Sequence, residues 1–361
     1  MECIMKPNNQ DMVYTSYQYG NIGVYFKSAS GNLDSAYTAF APGRFGEIAE
    51  WTTPYIFDAT NKNILIGAGN VYQMPLGGNF NTAKKISNFP NNTNFAAPNQ
   101  CTAMAQSPKD AKTIFIAKMA HPTLKVSAEV YKTNDYGTTW TSISTGLPTD
   151  SYLSFLATDN TKTDVVWATF SNFVEGQKVF STTDGGKTWV NISYNLPNIS
   201  ANCVTYDDQT GILYVGMDLG VFCLLPNQKT WQPFNTNLPN VIVNDMEINP
   251  KTRKLMVATF GRGLWASDVL VITASEPIYQ ADVQVSPNPA EGFFTIKTKG
   301  LKGKVSLKMI DITGRTTYQT ETTAEELTEG KMLNVSTQAS GMYFLQVIQE
   351  DKTKVVKVLL K

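Results

Sequence analysis

Apolar residues in the first 271 positions come in short runs closed by turn residues, and nowhere do they recur with the spacing of an amphipathic helix. One class of run reads NILIGAG (63–69), TIFIAK (113–118), VVWATF (165–170), ILYVGM (212–217) and KLMVATF (254–260), with VYTSY (13–17) a weaker sixth. A shorter apolar strand ending in a turn pair such as Asn-Pro or Asp-Asp precedes these runs, and a third strand follows each. The third strands open at Val24-Tyr25, Val71-Tyr72, Val130-Tyr131, Val179-Phe180, Val221-Phe222 and Leu264-Trp265, successive openings lying 47, 59, 49, 42 and 43 residues apart. In three units a tryptophan (Trp140, Trp189, Trp231) leads into a short fourth strand and then a Leu-Pro pair: Leu147-Pro148, Leu196-Pro197, Leu238-Pro239. Proline cannot donate to a sheet ladder, so the pair marks the exit from that strand and the crossover to the next unit.

A unit of about 40–50 residues carrying four short strands is the repeat of a β-propeller blade. The pattern therefore predicts an all-β fold whose residues 1–271 form six visible four-stranded blades, seven when complete. Two of the hairpins between third and fourth strands are more specific: TNDYGTTW (133–140) and TTDGGKTW (182–189). In each, Thr133 or Thr182 opens the turn and Asp135 or Asp184 is placed to accept amides of its own loop. Gly137 and Gly186 permit backbone angles closed to other residues, and Trp140 and Trp189 bury large rings at the seam with a neighbouring blade. LLPNQKTW (224–231) and VYQMPLGGNF (71–80) read as degenerate copies. The two hairpins resemble the Asp box of BNR-repeat propellers, and the region as a whole resembles the BNR, sortilin-like and YVTN-type propellers of large secreted bacterial proteins. That resemblance implies a structural, peripheral role for the box.

After residue 271 the composition shifts: all six tryptophans precede it, and ITASEPIYQA (272–281) reads as a linker. Residues 282–361 then alternate with period two in FFTIKTK (293–299), KVSLKMID (304–311), TTYQTET (316–322), MLNVST (332–337), GMYFLQVIQ (341–349) and KTKVVKVLLK (352–361), which predicts a small antiparallel β-sandwich. Pro287 and Pro289, flanking Asn288, stiffen its start; Asp311, Gly314 and Arg315 mark a hairpin; Gly341 precedes a strand in which Tyr343 and Leu345 face the core; Lys357 sits on the last strand. In this order, at the C-terminus, these landmarks resemble the type A C-terminal sorting domain of the type IX secretion system of Bacteroidetes. The resemblance implies export through that machinery, cleavage by a sortase-like protease near the linker, and release or attachment at the cell surface.

Composition narrows the function further. Formal charge is zero and charged residues are sparse at 17%, so no broad field favours nucleic acid. No apolar run is long enough to span a bilayer. His121 is the single histidine, and Cys3, Cys101, Cys203 and Cys223 match no zinc spacing, so no metal or other cofactor is expected; the cysteines read as small core residues. Sialidase chemistry clamps a carboxylate with three arginines, whereas the propeller region holds only Arg44, Arg253 and Arg262. Hydrolysis of the xyloglucanase kind uses carboxyls from two facing propellers, and this chain holds one. Asp218 reads as a turn aspartate ahead of a candidate catalytic carboxylate, Arg262 as a residue of a tight turn ahead of a ligand contact at the propeller mouth, and Tyr14, Tyr17, Tyr19, Trp51, Tyr55 and Trp167 as packing aromatics, or as stacking partners for sugar rings where they reach the propeller mouth. The start, MECIMKPNNQ, carries no signal-peptide pattern, and the last unit, ending GLWASDVLV, lacks a fourth strand and a Leu-Pro exit. The sequence is therefore expected to be the C-terminal part of a longer protein. The expected function is a secreted or cell-surface binding protein for a glycan or protein ligand; the other class considered is the accessory propeller of a glycoside hydrolase.

Overall fold

The computed structural model describes residues 3–5, 11–27, 30, 32–89, 99–120, 126–270, 282–311, 315–349 and 352–361. His121, the linker 272–281 and Gly314 lie outside the described residues. The chain divides into two units, residues 1–271 and 272–361.

The first unit is a series of antiparallel sheets in which each strand pairs with the next along the chain. The first sheet holds β1 (Cys3–Met5), β2 (Met12–Ser16), β3 (Ile22–Lys27) and β4 (Leu33–Phe40). The second holds β5 (Tyr55–Phe57), β6 (Asn63–Gly67), β7 (Val71–Pro75) and β8 (Lys84–Lys85). The third comprises β9 (Cys101–Gln106), β10 (Ile114–Lys118), β11 (Glu129–Thr133) and β12 (Thr141–Ser142), and the fourth β13 (Tyr152–Thr158), β14 (Val166–Ser171), β15 (Val179–Thr182) and β16 (Val190–Asn191). The fifth has β17 (Ala201–Asp207), β18 (Ile212–Met217), β19 (Gly220–Leu224) and β20 (Gln232–Pro233). The sixth has three strands among the described residues, β21 (Val243–Ile248), β22 (Lys254–Thr259) and β23 (Gly263–Asp268), so five of the six blades are four-stranded rather than all six.

The second to fifth sheets bury one face against the sheet before and the other against the sheet after, which is why their second strands are apolar almost throughout rather than alternating: β10 and β18 are buried along their whole length, whereas β22 of the sixth sheet alternates. The five seams are five separate apolar clusters. Tyr14, Val24, Tyr55 and Ile66 fill the first; Leu65, Cys101, Ile114 and Ile116 the second; Phe115, Leu153, Leu156 and Phe170 the third. Trp167, Val204, Val215 and Trp231 fill the fourth, and Cys203, Tyr214, Val243 and Val257 the fifth. First strands of successive sheets lie beside one another (β5 by β9, then β13, β17 and β21), so they line the axis and the fourth strands lie outermost. This is a β-propeller. Strand direction then assigns the loops. The turns between second and third strands and the crossovers between blades share one face, here the upper; the turns between first and second strands and the hairpins between third and fourth share the lower.

The second unit is a β-sandwich of β24 (Asp282–Glu291), β25 (Phe293–Lys299), β26 (Lys304–Asp311), β27 (Thr316–Thr323), the short helix α1 (Ala324–Glu329), β28 (Lys331–Asn334), β29 (Gly341–Gln349) and β30 (Lys352–Leu360), in the strand order β27-β26-β29-β30-β24-β25-β28. The pairing is antiparallel except where β24 meets β30 in parallel at Ala290 and Leu360. Its core draws on Phe294, Leu307, Leu327, Leu345 and Val347. Helix α1 begins because the Thr323 hydroxyl caps the Glu326 amide at 3.3 Å, and it brings Leu327 onto that core.

Candidate functional site

On the lower face the two Thr-x-Asp-x-Gly-x-Thr-Trp hairpins adopt one geometry. The Thr133 hydroxyl donates to the Asp135 carboxylate at 2.7 Å and accepts the amides of Asp135 and Gly137. Asp135 also takes the Thr139 hydroxyl at 2.6 Å and the Thr139 amide at 2.8 Å. Thr182, Asp184, Gly186 and Thr188 repeat every one of these bonds. Hydrogen bonds from Thr139, then from Thr133, hold the Asp135 carboxyl down at about 2, and those from Thr188, then Thr182, do the same for Asp184. Gly137 and Gly186 sit at φ of 93° and 90°, and a β-carbon on Gly186 would lie 2.5 Å from the Ile143 side chain. Both carboxylates are thus engaged by hydroxyls and an amide of their own turns.

The tryptophans that close these hairpins reach into the preceding blade. The indole N–H of Trp140 donates to the Ile86 carbonyl at 2.9 Å, that of Trp189 to Ile143 at 2.7 Å, and that of Trp231 to Ile192 at 2.8 Å. Each acceptor follows a two-residue fourth strand, and its own N–H closes that blade by bonding to Val71, Val130 or Val179. Around Trp231 the Asp and Gly are gone, and Asn195 substitutes by bracketing the Trp231 backbone at 2.7 and 3.0 Å. In the VYQMPLGGNF unit the seam is held instead by tyrosines: Tyr37 donates to the Gly77 carbonyl at 2.6 Å and the Gly77 amide donates to the Tyr14 hydroxyl at 2.8 Å. A hollow of about 670 Å³ beside Trp140 is lined by Phe89, Tyr131 and Tyr136. Three of its polar groups are already engaged: Tyr136 donates to Asp58, Tyr131 to Glu129 and Trp140 to Ile86.

The upper face has a different character. Tyr17, Tyr19, Trp51, Phe173, Leu219, Ile242 and Phe260 are exposed there, Phe260 by 70% and Phe173 by 69%. Tyr19 and Trp51 form an edge-to-face pair at 5.2 Å, held by a loop in which Tyr19 adopts φ 60° and Gly20 lies too close to Pro42 and Ala49 for any β-carbon. By contrast Tyr14 and Tyr55 are fully buried and Trp167 stacks on Tyr206 at 4.4 Å. Asp218 accepts the side-chain amide of Asn202, at the start of β17, at 3.0 Å. The three arginines do not converge: Arg44 lies over Phe80 in a crossover, Arg253 pairs with buried Asp207 on the lower face at 2.5 Å, and Arg262 sits in the upper turn between Gly261 and Gly263. Two carboxyls that sequence reasoning missed lie on the axial strand β21. Desolvation raises half-buried Asp245 and also Glu247, whose side chain is itself exposed, with the Asp245 charge adding to the rise at Glu247. Their signal was legible as acids two apart in a first strand that otherwise holds Val243, Asn244, Met246 and Ile248. They project from one strand, whereas glycosidic hydrolysis needs carboxyls flanking the bond. Among the described residues no three of His, Cys, Asp and Glu gather as a metal would require.

In the second unit, Pro287 and Pro289 lie inside β24, at the break where it leaves β25 and joins β30. Neither proline offers an N–H, and Asn288 replaces the missing ladder with its side chain: its amide donates to the Lys357 carbonyl at 2.8 Å and accepts the Leu359 N–H at 2.9 Å. Asp311 and Arg315 close the β26–β27 hairpin through backbone and side-chain bonds, Arg315 Nε to Asp311 at 3.1 Å. Gly341 starts β29, Leu345 is fully buried, and Tyr343 is buried with its hydroxyl donating to the Ala339 carbonyl at 2.8 Å. Lys357 points outward from β30.

These features define a β-propeller followed by a small C-terminal β-sandwich. Residues 284–361 match the family described as the secretion system C-terminal sorting domain, Por_Secre_tail. The chain thus carries a type IX sorting tail, which makes it a secreted or cell-surface protein. No curated protein matches the sequence. Solved structures similar to it include PorZ, an essential bacterial surface component of the type IX secretion system of Porphyromonas gingivalis, with TM-score 0.48 and 15% identity over 98% of this chain and 58% of that one. The GH74 xyloglucanase of Xanthomonas campestris aligns with TM-score 0.49 and 13% identity over 73% of this chain and 43% of that one. The GH74 enzyme of Niastella koreensis aligns with TM-score 0.48 and 16% identity over 71% and 40%. The chain therefore spans less than two thirds of each. No described helix is long and apolar enough to cross a membrane.

Proposed function

We propose that this protein is an exported binding protein of the BNR, Asp-box propeller class from a Bacteroidetes-type bacterium, and that its propeller takes a glycan or protein ligand on the upper face. A sortase-like protease removes the tail after transit, and the passenger is released or fixed at the outer surface. The concentration of exposed aromatic and apolar side chains on the upper face carries this reading, because such clusters on a soluble domain mark contact surfaces. The hairpin aspartates are structural Asp boxes in this reading.

A second reading, the accessory propeller of a glycoside hydrolase, draws on the raised carboxyls Asp245 and Glu247. One experiment separates the two. The purified chain is passed over immobilised polysaccharides and cell-surface proteins, and reducing sugar is assayed in parallel. Retention without sugar release, weakened by Trp51→Ala and Phe260→Ala, is expected. Sugar release abolished by Glu247→Gln would replace the binding reading with the hydrolytic one, and neither retention nor release would leave the propeller a structural surface element.

A further inference from the structure

The outward face of the layer β27-β26-β29-β30 departs from what an antiparallel sheet shows to water. Such a sheet is normally apolar toward its core and polar on the other side. Here the inward positions Met309, Tyr343, Leu345, Val347 and Val358 are buried, as expected. The positions between them should be polar. Instead the register sets Ile310 beside Phe344, Met342 beside Leu359, and brings Ile348 and Val355 onto the same side. Met342, Val355 and Leu359 are 37, 48 and 40% exposed. Two cations stand within these rows: Phe344 is flanked by Lys357, and Lys308 opposes Gln346, which opposes Val355. Lys304 lies on the same side at the end of β26, and Glu321 on β27 is opposite Ser306 at the margin. No ion pair within the described residues engages Lys304, Lys308 or Lys357.

We infer that this outward face is the surface by which the export machinery reads the tail, and that its partner is a protein presenting an apolar patch bordered by carboxylates. An address must be read on an exposed surface, and a sandwich whose interior is already filled by Phe294, Leu307 and Leu345 has no folding use for six further apolar side chains facing water. The charges choose the partner. Two copies of the tail docked face to face would bring Lys308 and Lys357 of one protomer toward those of the other, whereas an acidic rim would neutralise both.

The test expresses the full chain behind a leader peptide in a bacterium with a working type IX system, and measures the fraction outside the cell against the fraction held in the periplasm. Lys308→Glu with Lys357→Glu, and separately Val355→Thr with Leu359→Thr, are expected to cut export about tenfold or more, since like charges across an interface cost several kcal/mol. Lys308→Arg with Lys357→Arg is expected to restore it. Thermal melts of the purified variants should match the parent, which separates lost recognition from lost folding. Export of the charge-reversed chain at the parental level would overturn the inference. So would export intact with an altered oligomeric state in sedimentation, which would assign the face to a second copy. Failure of the parent chain itself to leave the cell would overturn the export reading, and with it this inference.

Discussion

Asp135 and Asp184 tie stability to acidity. Each is held near 2, below the ordinary 3.8, by donors that bond only its ionised form. A folded value below the unfolded one contributes stability that is complete above about 3.8 and disappears as pH falls through about 2. Replacing both by asparagine is expected to flatten the fall in melting temperature between those limits, followed through the fluorescence of the adjacent Trp140 and Trp189. The threonine, aspartate and glycine of these turns were legible because each residue type has one local job at a fixed offset. The acceptors of Trp140 and Trp189 were not, since Ile86 and Ile143 contribute only a backbone carbonyl and any side chain supplies one.

At the scale of the strand, legibility follows length and burial. The second strands stood out because neighbours on both faces require unbroken apolar runs. The fourth strands of the third, fourth and fifth blades are two residues long and were visible only through the Trp before them and the Leu-Pro after. Strand β24 was not legible, because two prolines argue against a strand and the compensating donor and acceptor lie on the Asn288 side chain. Helix α1 is six residues, too short for a periodic signal. Asn288→Ala is expected to cost the tail about 1 kcal/mol in denaturant titrations read by far-ultraviolet circular dichroism, because both the donor to Lys357 and the acceptor for Leu359 are lost. Trp231→Ala is expected to cost the propeller about 3–5 kcal/mol, and Trp231→Phe about 1–3, the latter from leaving the Ile192 carbonyl unpaired.

For the molecule as a whole, the division of cores makes the two units separately observable. All six tryptophans belong to the propeller, and the tail's core is drawn wholly from residues after 282. Leu345→Ala, at a fully buried position, is expected to lower the tail's stability by about 2–5 kcal/mol. Circular dichroism should register that loss while tryptophan fluorescence reports an unchanged transition. The tail was recognisable from its landmarks while the propeller's upper surface was not, because a sorting tail is written in a fixed order of residues, whereas that surface is assembled from loops far apart in the chain. The indole latches carry one more consequence. Each of the three reaches backwards, from a later blade to the residue that closes the one before, so each fastens two successive blades. A chain delivered from its N-terminal end presents each of these acceptors before the indole that binds it.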